Sequence, residues 1–162
     1  MAGTNQEIER KFLVSGELPD DLDQYPSTEI RQGYVAVADD GTEVRVRARG
    51  GDYTLTVKSG PARVRVEEEI EIDERRFESL WPLTAGRRIE KRRYLLPAGD
   101  QLSIELDVYA GELDGLVTAE VEFDSADQAE AFEPPAWIGS DVTGDGGYSN
   151  QSLAAHGRPP SA

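Results

Sequence analysis

The 162-residue sequence predicts a mainly β protein, with about eight antiparallel strands and a few short helices, built as a closed barrel or a sandwich. Two observations support this fold class. Most segments alternate between charged and apolar residues with a period of two, as strands with one buried face do. Short groups rich in Gly, Pro and Asp separate these segments and are typical of turns.

The first half of the chain contains five predicted strands. Asp39-Asp40-Gly41 and Gly50-Gly51-Asp52 are typical hairpin turns, and each joins two strands that follow one another directly. The five strands are expected at about residues 6–14, 30–37, 43–49, 53–59 and 63–72.

The second half combines strands with helices. Residues 74–84 carry apolar side chains at helical spacing, which predicts an amphipathic helix. Ser125 and Gln128 have the spacing of a capping box, so a second helix is expected to begin there. A short final helix is expected at residues 150–156. The remaining strands are expected at residues 89–96, 102–109 and 116–123.

The composition excludes several classes of function. The chain carries 32 acidic and 17 basic residues, for a formal net charge of −15. General nucleic-acid binding needs a basic surface, so this balance argues against it. The absence of cysteine excludes disulfides and thiolate metal sites, and a single histidine, His156, weakens any zinc or catalytic-triad chemistry.

No apolar run approaches the roughly 20 residues that a membrane-spanning helix needs, and no signal peptide is visible at the N-terminus. We therefore expect a cytoplasmic protein without a membrane partner. The length suits one domain, expected at residues 1–156, followed by a disordered tail at 157–162. The sequence does not indicate an oligomer and leaves that question open.

Sorting each strand by parity separates a charged face from an apolar face, and two architectures fit. Periodicity alone favours the ordinary one, in which the charges meet water and the apolar faces form the core. In the inverted one, the charges line a lumen, at a cost unless they are paired, hydrated or bound to ions. Two details favour inversion. Arg45 and Arg47 lie beside carboxylate-rich strands, and Phe77 and Trp81 on the predicted helix need an apolar surface to cover.

Lysine is rare in this chain, with three Lys against fourteen Arg. Lys11, Lys58 and Lys91 each fall on the charged face of a predicted strand. A Lys ammonium is a compact point charge whereas Arg is a planar fork, so the two differ at a phosphate site. Codon bias and chance are the alternative explanation for three such cases.

An ordered series of motifs begins at Glu7-Ile8-Glu9-Arg10-Lys11 and runs to about residue 154. A lone Glu-x-Glu-x-Lys is a weak motif, but the ordered set resembles the CYTH superfamily of triphosphate tunnel metalloenzymes, and its short bacterial branch in particular. The other members of the set are Val44-Arg45-Val46-Arg47, Leu55-Thr56-Val57-Lys58, residues 65–72, Ile89-Glu90-Lys91-Arg92-Arg93-Tyr94, Ile104-Glu105-Leu106-Asp107, Glu120-Val121-Glu122 and Asp141-Val142-Thr143-Gly144-Asp145.

The resemblance implies a closed eight-stranded antiparallel β-barrel that forms a hydrophilic tunnel, with a few helices packed outside. It also implies a bound triphosphate-containing small molecule and one or two divalent cations, Mg²⁺ or Mn²⁺. Carried over by position, the implied phosphate-binding residues are Lys11, Arg45, Arg47, Lys58, Arg65, Lys91 and Arg93. The implied metal ligands are Glu7, Glu9, Glu120 and Glu122.

Catalytic roles follow from the same resemblance. Lys91 is implied in catalysis as well as in substrate binding. Glu69 and Asp107 are implied in positioning metal or water, and Glu67 and Glu105 are weaker candidates for the same role. The chain departs from the family at Tyr148, where short bacterial members often carry two adjacent tyrosines, so a gating role for that end is in doubt. We interpret Tyr148 and Asn150 as capping the last helix.

These residues lead to one main hypothesis, which is metal-dependent hydrolysis of inorganic tripolyphosphate to pyrophosphate and phosphate. No cysteine, histidine or activated serine is required for it, because phosphoryl transfer needs mostly positioning and charge stabilisation. One alternative is an organic triphosphate as substrate, as in class IV adenylate cyclases, thiamine triphosphatases and RNA triphosphatases. Another is a polyphosphate-binding module without catalytic activity.

Overall fold

A computed structural model of the chain describes residues 8–59 and 66–160. Within these ranges lie eight strands of one antiparallel sheet, which confirms the mainly β prediction. They are β1 (Ile8–Leu13), β2 (Ser27–Val37), β3 (Glu43–Arg49), β4 (Asp52–Ser59), β5 (Val66–Glu71), β6 (Arg88–Pro97), β7 (Ser103–Ala110) and β8 (Val117–Phe123). Their order in the sheet is β1-β8-β7-β6-β2-β3-β4-β5. Because β1 and β5 begin next to residues outside the described part, closure of the sheet into a barrel stays a prediction.

Three short helices accompany the sheet in the described residues, and each begins at a side chain that caps it. Asp73, Ser125 and Ser149 each accept a hydrogen bond from the backbone N–H three residues further on. Such a bond satisfies a donor that the first helical turn leaves without a partner. The helices are α1 (Glu74–Leu80), α2 (Ala126–Ala131) and α3 (Asn150–His156). None of them is long and apolar enough to cross a membrane.

The first helix is shorter than predicted. Instead of running over residues 74–84, α1 ends at Leu80 and a 3-10 turn follows at Trp81–Thr84. Pro82 explains the change, because proline has no N–H to continue the α-helical hydrogen-bond ladder. The capping prediction at the last helix is also wrong. Ser149 caps α3, since its short hydroxyl reaches the N–H of Ser152 at 3.2 Å.

The chain divides into two compact units, each with its own packing. The first unit comprises Met1–Ser27, Arg93–Val108 and Gly115–Asp145. The second unit comprises Thr28–Arg92, Tyr109–Asp114 and Gly146–Ala162.

The core of the first unit lies on one face of β1, β7 and β8. Helix α2 covers this face through Ala129, together with Phe132 and Trp137 from the segment that follows it. Trp137 is thus a packing residue of this core. The strand residues buried there are Phe12, Ile104, Leu106, Ala119, Val121 and Phe123.

The core of the second unit lies between β3 and α1. Val46 and Ala48 are buried against Phe77, whose ring stacks on Trp81 with 5.3 Å between ring centroids. The guanidinium of Arg31 lies over both rings, 5.0 Å from the Phe77 centroid and 5.5 Å from the Trp81 centroid. A guanidinium placed in this way is attracted to the aromatic faces, so Arg31 stabilises the packing of α1.

In both units the face opposite the helices carries the charged side chains, and many of these are buried. Asp107 has no exposed surface, Glu43 is 6 % exposed and Lys91 is 7 % exposed. In the ordinary architecture such side chains would meet water. Periodicity alone therefore favoured the wrong polarity for these three residues, although the charged side chains of β5 are exposed. The apolar face lies under helices in each unit, as the inverted architecture requires.

Candidate active site

A charged cluster in the first unit is centred on Arg93. Its Nε donates to Asp107 Oδ1 at 2.7 Å and its Nη2 donates to Asp107 Oδ2 at 2.8 Å. The third nitrogen, Nη1, contacts Glu105 Oε2 at 2.5 Å. Two carboxylates therefore hold the guanidinium in one orientation, with the planar fork matched to Asp107.

The electrostatics of this cluster follow from its burial. Burial by itself would lower the pKa of Arg93, but the hydrogen bonds and charges of Asp107 and Glu105 raise it above its ordinary value. For Glu105, burial raises the pKa, Arg93 opposes the rise, and the neighbouring carboxylates, Glu120 first, add to it. Arg93 is therefore permanently charged, and Glu105 is more easily protonated than an isolated glutamate.

A second ion pair of the first unit joins β1 to β8. Lys11 lies directly opposite Glu120 in the register of the two strands, and its Nζ is 3.2 Å from Glu120 Oε1. Their side chains are only 14 % and 18 % exposed. Two residues along the ladder, Glu9 lies opposite Glu122. Three carboxylates and one ammonium therefore share this face of the sheet.

The donor chemistry on this face fits a hard divalent cation, because Mg²⁺ and Mn²⁺ prefer carboxylate oxygens. Glu9, Glu120 and Glu122 project from adjacent strands on the same side. Within residues 8–59 and 66–160, however, no three acidic or imidazole side chains are gathered closely enough to hold an ion. The fourth predicted ligand, Glu7, lies outside the described residues.

In the second unit, one face of β3, β4 and β5 carries both positively and negatively charged side chains. Arg45 Nη1 lies 3.5 Å from Glu43 Oε1, and Lys58 Nζ lies 3.8 Å from Glu67 Oε2. The register explains the second pair, because Lys58 lies opposite Glu67 as well as Glu43. Glu43 and Arg45 are alternate residues of β3, so their side chains share one face. Arg47 and Glu69 lie on the same face by the same register.

Arg45 has a hydrogen-bonding deficit that bears on function. Its Nε is buried, yet it has no acceptor among the residues that the structure describes. A buried donor without a partner costs about 1–3 kcal/mol. An anionic oxygen bound next to Arg45 would remove that cost.

Two polar residues that were not predicted join this face from β2. Gln32 lies opposite Arg47 and Tyr34 lies opposite Arg45. Both are buried, and Gln32 Nε2 donates to the Tyr34 hydroxyl at 2.9 Å. Burial, followed by the charge of Glu43, raises the pKa of Tyr34, so its hydroxyl stays protonated. Neither residue is charged, and only the register with β3 identifies them.

Lys91 is held by two residues from other segments of the second unit. Its Nζ donates to Asn150 Oδ1 at 3.4 Å and lies 5.3 Å from the centre of the Tyr109 ring. The interpretation of Asn150 as a helix cap is thus corrected, because Ser149 provides the cap and leaves the Asn150 amide to contact Lys91. Asn150 and Tyr109 are thus partners of the candidate catalytic residue Lys91, and the sequence did not identify this role for either of them.

An open cleft of about 650 Å³ lies at one end of the charged face of the second unit. Its size is in the usual range for small-molecule sites. Its walls include the side chains of Arg47, Arg49, Thr54, Glu69 and Glu71. Both signs of charge are thus present, as a polyanion accompanied by a cation would require.

The structure therefore places the predicted site residues in two groups. Arg65, like Glu7, lies outside the described residues. The first unit contains Glu9, Lys11, Arg93, Glu105, Asp107, Glu120 and Glu122. The second unit contains Arg45, Arg47, Lys58, Glu67, Glu69 and Lys91.

Comparison with known proteins gives consistent results. Residues 5–141 match the CYTH domain. The chain is 48 % identical over 148 residues to the inorganic triphosphatase of Nitrosomonas europaea, covering 91 % of this chain and 96 % of that protein. It is 39 % identical over 151 residues to the inorganic triphosphatase of Acetivibrio thermocellus, covering 91 % and 92 %.

A solved structure agrees with the sequence relatives. The crystal structure of an inorganic triphosphatase superposes with a TM-score of 0.80 at 47 % identity, covering 92 % of this chain and 94 % of that one. The match of the domain over most of the sequence and the identity to two relatives lead to one assignment. The chain belongs to the CYTH domain family.

Proposed function

We propose that this protein is a divalent-metal-dependent phosphohydrolase that converts inorganic tripolyphosphate to pyrophosphate and phosphate. The observation that carries the proposal is the concentration of buried cations and carboxylates on the same strand faces, with Lys91 at 7 % exposure and Asp107 at none. Charges buried in this way are costly without a ligand or partner of opposite sign. The two relatives named inorganic triphosphatase support the choice of substrate.

Binding of the triphosphate is assigned to the cations. Arg45 and Arg47 offer planar forks that suit paired hydrogen bonds to phosphate oxygens, and the buried Nε of Arg45 is a donor that such an oxygen would satisfy. Lys11, Lys58 and Lys91 supply compact point charges. Arg65 and Arg93 complete the proposed set, with Arg93 already oriented by two carboxylates.

Glu9, Glu120 and Glu122, together with Glu7, would hold the metal ion, for which Mg²⁺ or Mn²⁺ is proposed. When bound, the ion would neutralise phosphate charge and polarise water.

The chain's own residues perform the remaining work. Lys91, held between the Asn150 amide and the Tyr109 ring, is assigned to stabilising charge on the transferred phosphoryl group. Glu69, which accepts from Thr56 Oγ1 at 3.5 Å, and Asp107 are assigned to positioning water. Such positioning with charge stabilisation is what phosphoryl transfer chiefly needs.

We also infer that residues 1–156 act as one domain, because the CYTH domain match spans segments of both units. The tail at residues 157–162 and the cytoplasmic location stay predictions from composition.

The test is phosphate release from tripolyphosphate by the purified protein, with Mg²⁺ or Mn²⁺ and with a chelator. We expect release only in the metal arms, and equal release with the chelator would refute the metal requirement. ATP, thiamine triphosphate and RNA with a 5′-triphosphate serve as competing substrates. Faster turnover of one of these, or cyclic AMP as the main product from ATP, would overturn the substrate assignment. Tight tripolyphosphate binding without release would favour the non-catalytic module.

A further inference from the structure

We infer that Thr143 and Asp141 are positioning residues that place Lys11 for the proposed reaction. The inference rests on the proposed function, because Lys11 is there assigned to a phosphate oxygen. It concerns four residues of the first unit that hydrogen bonds link in series, namely Arg10, Asp141, Thr143 and Lys11.

Strand β1 forms hydrogen bonds along both of its edges. Strand β8 pairs with one edge, and the segment 139–143 bonds to the other. Leu13 N donates to Ser140 O at 2.8 Å, and Val142 N donates to Lys11 O at 2.8 Å. Because the N–H and C=O of one strand residue point to the same edge, Lys11 directs both of its backbone groups at this segment.

This direction decides how Lys11 meets β8. Lys11 and Glu120 form a non-hydrogen-bonded pair of the ladder, the kind in which opposite side chains lie closest. The distance of 3.2 Å from Lys11 Nζ to Glu120 Oε1 agrees with that geometry. The backbone of Lys11 is thus held by one neighbour, while its side chain projects beside the other.

Thr143 completes the edge with a side chain. Lys11 N donates to Thr143 Oγ1 at 3.0 Å. The same hydroxyl donates to Asp141 Oδ1, which also accepts from Thr143 N at 2.9 Å. The hydroxyl therefore acts as acceptor and donor at once, which a methyl group of the same size cannot do.

Arg10 anchors Asp141 to the packed face of the unit. Its Nε and Nη2 donate to Asp141 Oδ2 at 3.1 and 2.9 Å. Its Nη1 donates to the carbonyl oxygens of Ala129 and Phe132, each at 3.0 Å. Arg10 lies on the helix-covered side of β1. Through Asp141 and Thr143 it is connected to the backbone of Lys11, whose side chain points to the charged side.

If the Lys11 backbone is displaced, its ammonium group moves as well. The proposed function requires that ammonium group close to a phosphate oxygen. Positioning errors of this kind reduce binding or rate without removing any group that touches substrate. We therefore expect the loss of the Thr143 hydroxyl to appear as weaker substrate binding through Lys11.

The experiment compares Thr143→Val with Thr143→Ser. We expect KM for tripolyphosphate to rise about three- to tenfold in the valine variant, as the loss of one hydrogen bond predicts, with kcat changed less than about twofold. The serine variant keeps the hydroxyl, so its KM should stay within about twofold of the wild type. Equal KM values in wild type and Thr143→Val would overturn the inference.

The matched control is Thr42→Val. Thr42 N donates to Asp40 Oδ1 at 2.9 Å in the β2–β3 hairpin, which repeats the local Asp–Thr geometry in the second unit. We expect its KM to equal that of the wild type. A rise equal to that of Thr143→Val would mean that lost local turn stability, not Lys11, causes the effect, and would overturn the inference.

A double-mutant cycle separates positioning from a general structural role. In a Lys11→Ala background, Thr143→Val should raise KM less than about twofold further, because no ammonium is left to misplace. Additive increases would contradict the assignment. If Thr143→Val does not fold, Asp141→Asn is measured in the same cycle, and additivity there has the same meaning.

Amide hydrogen exchange tests the inference apart from turnover. We expect the Lys11 amide to exchange faster in Thr143→Val than in the wild type, while the amide of Phe12, which points to β8, is unchanged. A wild type that does not hydrolyse tripolyphosphate refutes the proposed function, and the exchange result then still decides whether Thr143 holds Lys11. An unchanged Lys11 amide in an active enzyme refutes only the positioning inference.

Discussion

Arg93 holds Asp107 by both carboxylate oxygens, at 2.7 and 2.8 Å, and Asp107 is fully buried. The pair is therefore a buried, bidentate ion pair. Its net contribution to stability is small when both partners are present, because desolvation offsets the attraction, but either partner alone is an uncompensated charge.

Asp107→Ala is expected to lower the free energy of unfolding by about 3–5 kcal/mol, since it leaves Arg93 with one buried partner fewer. Urea unfolding followed by circular dichroism measures this. The double variant Arg93→Met with Asp107→Ala should recover part of the loss. A double variant less stable than Asp107→Ala alone would show that the guanidinium is not the source of the cost.

Lys91→Ala is expected to reduce turnover of tripolyphosphate by at least about 100-fold, the usual cost of removing a group that stabilises transition-state charge. The fold should survive, because the change removes a charge from a site of 7 % exposure. Turnover and thermal unfolding are measured together. Lys91→Arg is the control that keeps the charge in another shape, and a wild-type rate in Lys91→Ala would exclude the assigned role.

Glu9→Ala is expected to increase the metal concentration needed for half-maximal turnover by more than about tenfold, since even outer-shell partners of a metal are worth that much. Glu9 lies opposite Glu122 on the carboxylate-rich face. Titration of activity with Mn²⁺ measures the shift. Glu17→Ala, in the exposed loop after β1, is the matched control. Identical metal titrations of the Glu9 and Glu17 variants would remove Glu9 from the proposed ligands.

Asp141 gives a pH-dependent prediction. Burial opposes its charged form, but the hydrogen bonds from Thr143 and Arg10 outweigh this and hold the pKa of Asp141 below its ordinary value of 3.8. A carboxyl with a depressed pKa contributes stability above pH 3.8 and loses it as the pH falls through the lowered value. The wild type should therefore unfold at higher urea than Asp141→Asn near neutral pH, with the gap closing below pH 3.8. A gap that is constant down to the acid limit would contradict this.

Gly33→Ala is expected to destabilise the second unit by about 1–3 kcal/mol, as overpacking usually does. A Cβ at position 33 would lie 2.5 Å from Cβ and Oγ1 of Thr84, whose residue is fully buried. Gly51→Ala is the control, because nothing lies within 4 Å of a Cβ there. Thermal unfolding of both variants decides the matter, and equal midpoints would show that Thr84 moves aside freely.

The elements with a clear alternation were predictable. Strand β3 matches its prediction residue for residue at Glu43–Arg49, and α3 does so at Asn150–His156. In both cases local signals agree with the tertiary structure. The first helix was not fully predictable from apolar spacing, because the pattern continues past Pro82 although the α-helical hydrogen bonds do not.

Residues that act through distant partners were beyond sequence reasoning. Thr143 and Lys11 are 132 positions apart, and neither carries a local sign of the hydrogen bond between them. Gln32 and Tyr34 are uncharged, so parity alone did not connect them to Arg45 and Arg47.

By itself, the sequence determined which side chains share a strand face, because backbone geometry sends alternate residues to opposite sides of a sheet. It also determined the family, through an ordered set of motifs. Only the tertiary structure decided which of the two faces lies under helices and which charged groups form pairs, such as Arg93 with Asp107. Periodicity is the same for either polarity, and pairing depends on strand register and packing between residues far apart in the chain.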